Sequence, residues 1–194
     1  ALSETMRPEA TAALLSEYFS EMVECVFRHG GTLDKFIGDA VMAQWGAPLR
    51  APDDADRAVA AALDMQQSLD ALNKKWRDEG RPELRAGIGL SYGEVFAGNI
   101  GSERRLEFTV IGDTVNIAAH LCAAAEGGDV LISDEMRHAL TAPPALEEHE
   151  PLEMKGKVRA VRVFRIAARR NSGGVAAGTV AAAGADITAT TYGG

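Results

Sequence analysis

The chain opens on an amphipathic stripe. Between residues 9 and 28, Leu15, Tyr18, Phe19, Met22, Val23, Val26 and Phe27 recur at three-to-four spacing, which predicts a helix ended by His29-Gly30-Gly31. Two short apolar runs follow, Leu33–Ile37 and Ala40–Trp45, and the Gly38-Asp39 pair between them predicts a tight β-hairpin. Ala51-Pro52-Asp53 starts a second helix with Asp53 as its expected N-cap. Its stripe runs through Val59, Ala62, Leu69, Leu72 and Trp76, and Gly80 and Pro82 stop it. Arg85 to Gly101 is apolar and glycine-rich, and reads as one long strand or a strand pair turning near Tyr92-Gly93. Leu106–Ile111 makes another strand, and Gly112-Asp113-Thr114 opens a helix to about Ala125 with Asp113 as its expected N-cap. A short strand at Asp129–Ile132, a brief helix at Ser133–Leu140 and a hairpin over Leu152–Ile166, turning at Lys155-Gly156-Lys157, complete the pattern. Hairpins are as prominent as strand–helix–strand units, which predicts an α+β sheet with its helices on one side.

Composition changes near residue 170. From Asn171 to Gly194, 17 of 24 residues are Ala, Gly or Thr, too little large apolar surface to order the segment by burial. Residues 168–194 therefore read as a flexible tail or an expression scar, with a second possibility given below. The whole chain has 194 residues, 20 basic against 28 acidic, for a net charge of −8. Its length suits one domain with an appendage, and its acidity argues against general nucleic-acid binding, which depends on neutralising phosphates. Cys25 and Cys122 form no CxxC pair and read as reduced thiols. No long apolar run or leader pattern is present, so the expectation is a soluble cytoplasmic domain.

Two segments carry candidate chemistry. In DKFIGDAVM the hairpin tip holds Asp39 as a carboxylate suited to a hard divalent cation, with Lys35 in the strand before it. In EFTVIGDTVNIAAHL, Asn116 and His120 stand four residues apart and share a helix face. Gly87-Ile88-Gly89 is too short for a dinucleotide fingerprint.

GGTLDKFIGDAVMAQWGAP, RAGIGLSYGEVFAGNIGS and FTVIGDTVNIAAHL, in this order, resemble the catalytic domain of class III adenylate and guanylate cyclases over residues 1–167. Bicarbonate-responsive bacterial adenylate cyclases are the most similar branch, because of Thr109. The resemblance implies a ferredoxin-like βαββαβ core with additions, a head-to-tail homodimer with shared sites, and conversion of ATP to cyclic AMP and pyrophosphate. It also implies two Mg²⁺ or Mn²⁺ ions and an upstream sensor in the full-length protein. Residue by residue, Asp39 matches a metal-binding aspartate, Lys35 and Thr109 the adenine-reading pair, and Asn116 the ribose-positioning asparagine. Lys155 and Arg85 match cations around the triphosphate. A carboxylate at position 35 would instead suit guanine.

Two departures stand out. Four residues after the asparagine the family has a transition-state arginine, and this chain has His120, which lacks a permanent planar fork of donors. The family's first metal aspartate lies in a strand before the first helix, of which these residues contain no copy at the N-terminal end. Ala185-Asp186-Ile187-Thr188 echoes that strand, so the second reading of the tail is a misplaced core strand with Asp186 as the first metal ligand. These departures raise a competing reading, a catalytically weak or silent module that binds nucleotide for regulation.

Overall fold

The computed structural model describes residues 7–102, 104–154, 160–167 and 175–187, the last stretch by its backbone path alone. Helix α1 (Pro8–Arg28) leads into the hairpin β1 (Thr32–Ile37) and β2 (Ala40–Trp45), then helix α2 (Asp54–Asp78). Strand β3 (Leu84–Ser102) folds back on β4 (Arg105–Ile111), and α3 (Asp113–Ala124) follows. The order continues through β5 (Val130–Ser133), α4 (Asp134–Ala139), β6 (Leu146–Leu152), β7 (Val161–Ile166) and β8 (Val175–Ile187). The sheet order is β1-β2-β8-β3-β5-β7-β6, with β4 paired to the far half of β3 as a projecting arm. The class is α+β.

Alternation along the strands separates two apolar layers. Val41, Ala43 and Trp45 of β2, Ile88 and Leu90 of β3, and Val130 and Ile132 of β5 face one core with Leu14, Tyr18 and Met22 of α1 and Met65 and Leu69 of α2. Leu131 of β5 and Val161 and Val163 of β7 face the other way, against Ile117 and Leu121 of α3. The helices are thus not all on one side. Glycines explain why α3 takes the second face. A Cβ on Gly87 would stand 2.6 Å from the Ala125 carbonyl oxygen, on Gly89 2.5 Å from that of Ala118, and on Gly93 2.6 Å from Thr114 Oγ1. The sequence pattern showed glycines in β3 but not the helix that needs them.

Several boundaries differ from the periodicity. β3 is one continuous strand, with no turn at Tyr92-Gly93. Asp53 sits at the α2 N-cap without a side-chain cap bond; instead the Ala51 amide donates to Asp54 Oδ2 at 2.7 Å, and Asp53 pairs with Arg57 Nε at 3.2 Å. Gly112 holds the α3 N-cap place and Asp113 is the first helical residue. Ser133 does cap α4, accepting from the Met136 amide at 3.1 Å. The last hairpin begins earlier, at Leu146, and pairs antiparallel as β6–β7. Both cysteines are buried thiols outside any disulfide, and burial pushes the Cys25 thiol up. No helix among the described residues is long and apolar enough to cross a membrane.

Residues 175–187, inside the segment read as a tail or a misplaced strand, lie between β2 and β3. β8 runs parallel to both neighbours. A strand feeding α1 by a right-handed crossover would run parallel to β1, and so antiparallel to β2. β8 therefore crosses the sheet in the opposite sense to that strand.

Two outcomes follow from this packing. Gly89→Ala should destabilise the fold by about 1–3 kcal/mol, because its methyl group overpacks against the α3 backbone; urea unfolding reads the loss, and an unchanged midpoint would contradict it. Glu17 of α1 accepts from Lys75 Nζ at 2.9 Å, Arg81 at 2.7 Å and Trp76 Nε1 at 3.2 Å. Those bonds, Lys75's first, lower its pKa from 4.5 to about 2. Because the folded value is the lower one, the stabilisation is complete above pH 4.5 and is lost as pH falls toward 2. Glu17→Gln should flatten stability against pH across that window, as measured by thermal melts in steps of pH.

Candidate active site

The β1–β2 hairpin carries the first group of candidates. Gly38, at φ +62°, makes the tight tip and leaves Asp39 exposed beside it. Lys35 lies opposite Met42, and Met42 packs with Ala47 of the following loop, Val95 of β3 and Val110 of β4. That small cluster draws the arm across the hairpin. Thr109, next to Val110, is brought against β1, where its hydroxyl donates to Asp34 Oδ2 at 2.8 Å. Lys35 Nζ stands 3.6 Å from the same oxygen. Lys35 and Thr109, 74 positions apart in sequence, therefore meet around one carboxylate. Asp34 escaped the sequence reading. It occupies an irregularity in the β1–β2 register, between the Leu33–Ala43 and Lys35–Met42 pairs, that strand alternation does not reveal.

Helix α3 carries the second group. With Ile117, Ala118, Leu121 and Cys122 buried against the sheet, Asn116 and His120 fall on the exposed side one turn apart. Thr114 anchors the start of the helix by donating to the Glu94 carbonyl at 3.0 Å. Arg85 is half-buried at the start of β3, at the opposite end of α3 from Asn116, packed beside Gly127. Its position does not join it to Lys35 and Thr109. Lys155 lies outside the described residues.

Asp186 lies apart from Asp39 along the sheet. β8 brings Val180 opposite Val41, near the hairpin tip, and Asp186 opposite Glu94, six residues further on. At roughly 3.3 Å per residue the six residues from Val180 to Asp186 span about 20 Å, and Asp39, two residues before Val41, lies further still from Asp186. A strand that ended beside Asp39 would have to run antiparallel to β2, and β8 does not. Among the described residues no three His, Cys, Asp or Glu side chains converge to hold an ion.

An open cleft of about 600 Å³ lies at the root of the arm, lined by Glu94, Val95, Phe96, Ile111, Gly112, Asp113 and Thr114. Its charged residues are both acidic, so it disfavours a polyphosphate. The hairpin and arm also expose Phe36, Ile37, Phe96, Leu106, Phe108 and Ile111, a concentration of large apolar side chains beside the polar cluster.

The profile of the adenylate and guanylate cyclase catalytic domain matches residues 1–167. Adenylate cyclase 1 of Rhizobium meliloti is 41% identical over 120 residues, 62% of this chain and 18% of that protein. An adenylate cyclase of Anabaena cylindrica is 32% identical over 176 residues, 86% of this chain and 34% of that protein. The chain thus spans 18% to 34% of the length of these relatives. Among solved structures, the guanylyl cyclase Cya2 superposes with a TM-score of 0.78 at 35% identity, covering 85% of this chain and 84% of the other. The adenylyl cyclase CyaB from P. aeruginosa gives 0.77 at 32% identity, with 89% and 90% covered.

Proposed function

Because this chain belongs to the adenylate and guanylate cyclase catalytic-domain family, we propose that it converts ATP to 3′,5′-cyclic AMP and pyrophosphate. The observation that carries the choice of ATP is the meeting of Lys35 and Thr109 at Asp34. The solved relatives divide between adenylyl and guanylyl cyclases, so the base preference rests on these side chains. Lys35 is a donor for the ring acceptor N1 of adenine, and Thr109 an acceptor for its 6-amino group. Guanine reverses both polarities at that edge.

In the reaction the ribose 3′-oxygen attacks the α-phosphorus in line. The new O–P bond forms as the bond to the β-phosphate oxygen breaks, pyrophosphate leaves, and the 3′-hydroxyl proton passes to solvent. The chain's part is positioning. Lys35 and Thr109 hold the base, Asn116 the ribose, and His120 offers a donor toward the phosphates where the family carries arginine. Asp39 on the hairpin tip is proposed as an oxygen ligand of the divalent cation that accompanies the triphosphate. The exposed apolar residues of the hairpin and arm support a homodimer in which each site draws on both chains. The parts of the relatives that this chain does not span leave room for a sensor unit attached to a cytoplasmic catalytic domain. His120 also supports a second reading, a nucleotide-binding module with little turnover, since losing one preorganised donor costs about 10²–10³ in rate.

Cyclic AMP formation with Mn²⁺, assayed beside GTP, tests the proposal. Lys35→Ala and Asp39→Ala chains should each be inactive, and mixing them should restore turnover, because one site of the mixed dimer receives both intact halves. A mixture as dead as its parents, with mixed dimers present, removes the shared site. His120→Arg should raise kcat with little change in ATP affinity, since the added fork acts on the transition state. A folded, dimeric variant that is no faster makes the silent-module reading the better one.

A further inference from the structure

The Asp34 carboxylate is built in a way that stability alone does not ask for. Its side chain has 0% exposure, and Oδ1 has no hydrogen-bond partner among the described residues while Oδ2 takes Thr109 and lies 3.6 Å from Lys35 Nζ. A buried carboxylate with an unmet oxygen is costly, and a neutral residue of the same size would cost less. The backbone is adjusted to place it there. β1 pairs Leu33 with Ala43 and then Lys35 with Met42, so Asp34 is the extra residue of a β-bulge. In a regular strand Asp34 and Lys35 would face opposite sides of the sheet; the bulge turns two consecutive side chains toward the arm.

We infer that Asp34 is the positioning residue that sets the polarity of base reading, by consuming the single hydroxyl proton of Thr109. The inference rests on the ATP reading above. A threonine hydroxyl has one proton and two lone pairs, and left alone it serves as donor or acceptor by rotation. A hydroxyl that could rotate would greet the 6-amino group of adenine and the 6-carbonyl of guanine alike. An acceptor-only carboxylate at 2.8 Å removes that freedom. Thr109 then has only lone pairs left for a ligand, while Lys35, beside the same oxygen, has only protons. The pair becomes one fixed acceptor next to one fixed donor, a pattern that fits the 6-amino and N1 edge of adenine.

The test uses the whole chain and three triphosphates: ATP, purine riboside triphosphate, which lacks the 6-amino group, and inosine triphosphate, which carries a 6-carbonyl. Affinities come from competition against a fluorescent ATP analogue, and kcat/KM from product formation. The wild-type chain should favour ATP over purine riboside triphosphate by about tenfold, the loss expected when a recognition hydrogen bond is unmade. In Asp34→Asn the amide can donate to Thr109 and turn its proton outward. The ratio should fall to within about twofold, and inosine triphosphate should gain on ATP. Thr109→Val should lower the first ratio without that gain, and the double variant should match Thr109→Val, since the two residues act as one unit. If Asp34→Asn does not fold, Asp34→Ala, which leaves the Thr109 hydroxyl free to rotate, must produce the same gain for inosine triphosphate. A folded Asp34 variant with the wild-type ratios, or one that weakens all three triphosphates equally, overturns the inference alone. A wild-type chain that shows no preference for ATP, or binds none of the three, overturns the ATP reading and this inference with it.

Discussion

The close seating of α3 on the glycine face of β3 is the constraint on which the rest depends. Gly87, Gly89 and Gly93 stand at alternate positions, and each meets the helix where a methyl group would collide. A helix held by its backbone against a strand has little freedom to roll. Ile117 and Leu121 are therefore committed to the inner side, and Asn116 and His120 to the outer. The other face of β3 is then free to supply Ile88 and Leu90 to the larger core under α1 and α2. One strand thus serves two layers with opposite means, large side chains on one face and their absence on the other.

Much of this was legible in the sequence, for physical reasons that differ by element. The α1 stripe and the Gly38-Asp39 hairpin follow from local periodicity and turn chemistry, which need no knowledge of neighbours. Asp39, Lys35 and Asn116 stand out within their own motifs, while Thr109 and the role of each residue come from the resemblance to cyclases. What placed Lys35 beside Thr109 is tertiary, an arm laid across a hairpin through Met42, Val95 and Val110. The bulge at Asp34 left no mark in the alternation of Leu33, Asp34 and Lys35, because one extra residue in a six-residue strand is indistinguishable from ordinary variation. Asp53 and Asp113 misled for a related reason. Both are residues favoured at caps, and in each case a neighbour, Asp54 or Gly112, takes part of the expected role.

In the Ala-rich segment, burial and backbone pairing are separate questions. Few large side chains argue against order by burial, yet a strand flanked on both edges needs only its backbone groups to be satisfied. β8 has such neighbours in β2 and β3. The echo of a metal strand in Ala185-Asp186-Ile187 is an echo of residue types. Direction, which a short string does not encode, decides where Asp186 sits.

The same strand has a kinetic consequence. Among the described elements β2 has two ladder partners, β1 and β8, so the hairpin joins the sheet's ladder through a segment that follows the other described elements in sequence. Trp45 must wait for Gly184, and Leu84 for Val175, before the sheet is continuous. Such pairings raise contact order, and the entropy of closing those long loops must be met before the ladder rewards it. Until then the two halves of the sheet emerge from the ribosome with facing, unpaired edges. The nascent chain spends that interval exposed to strand pairing with its neighbours on the same messenger.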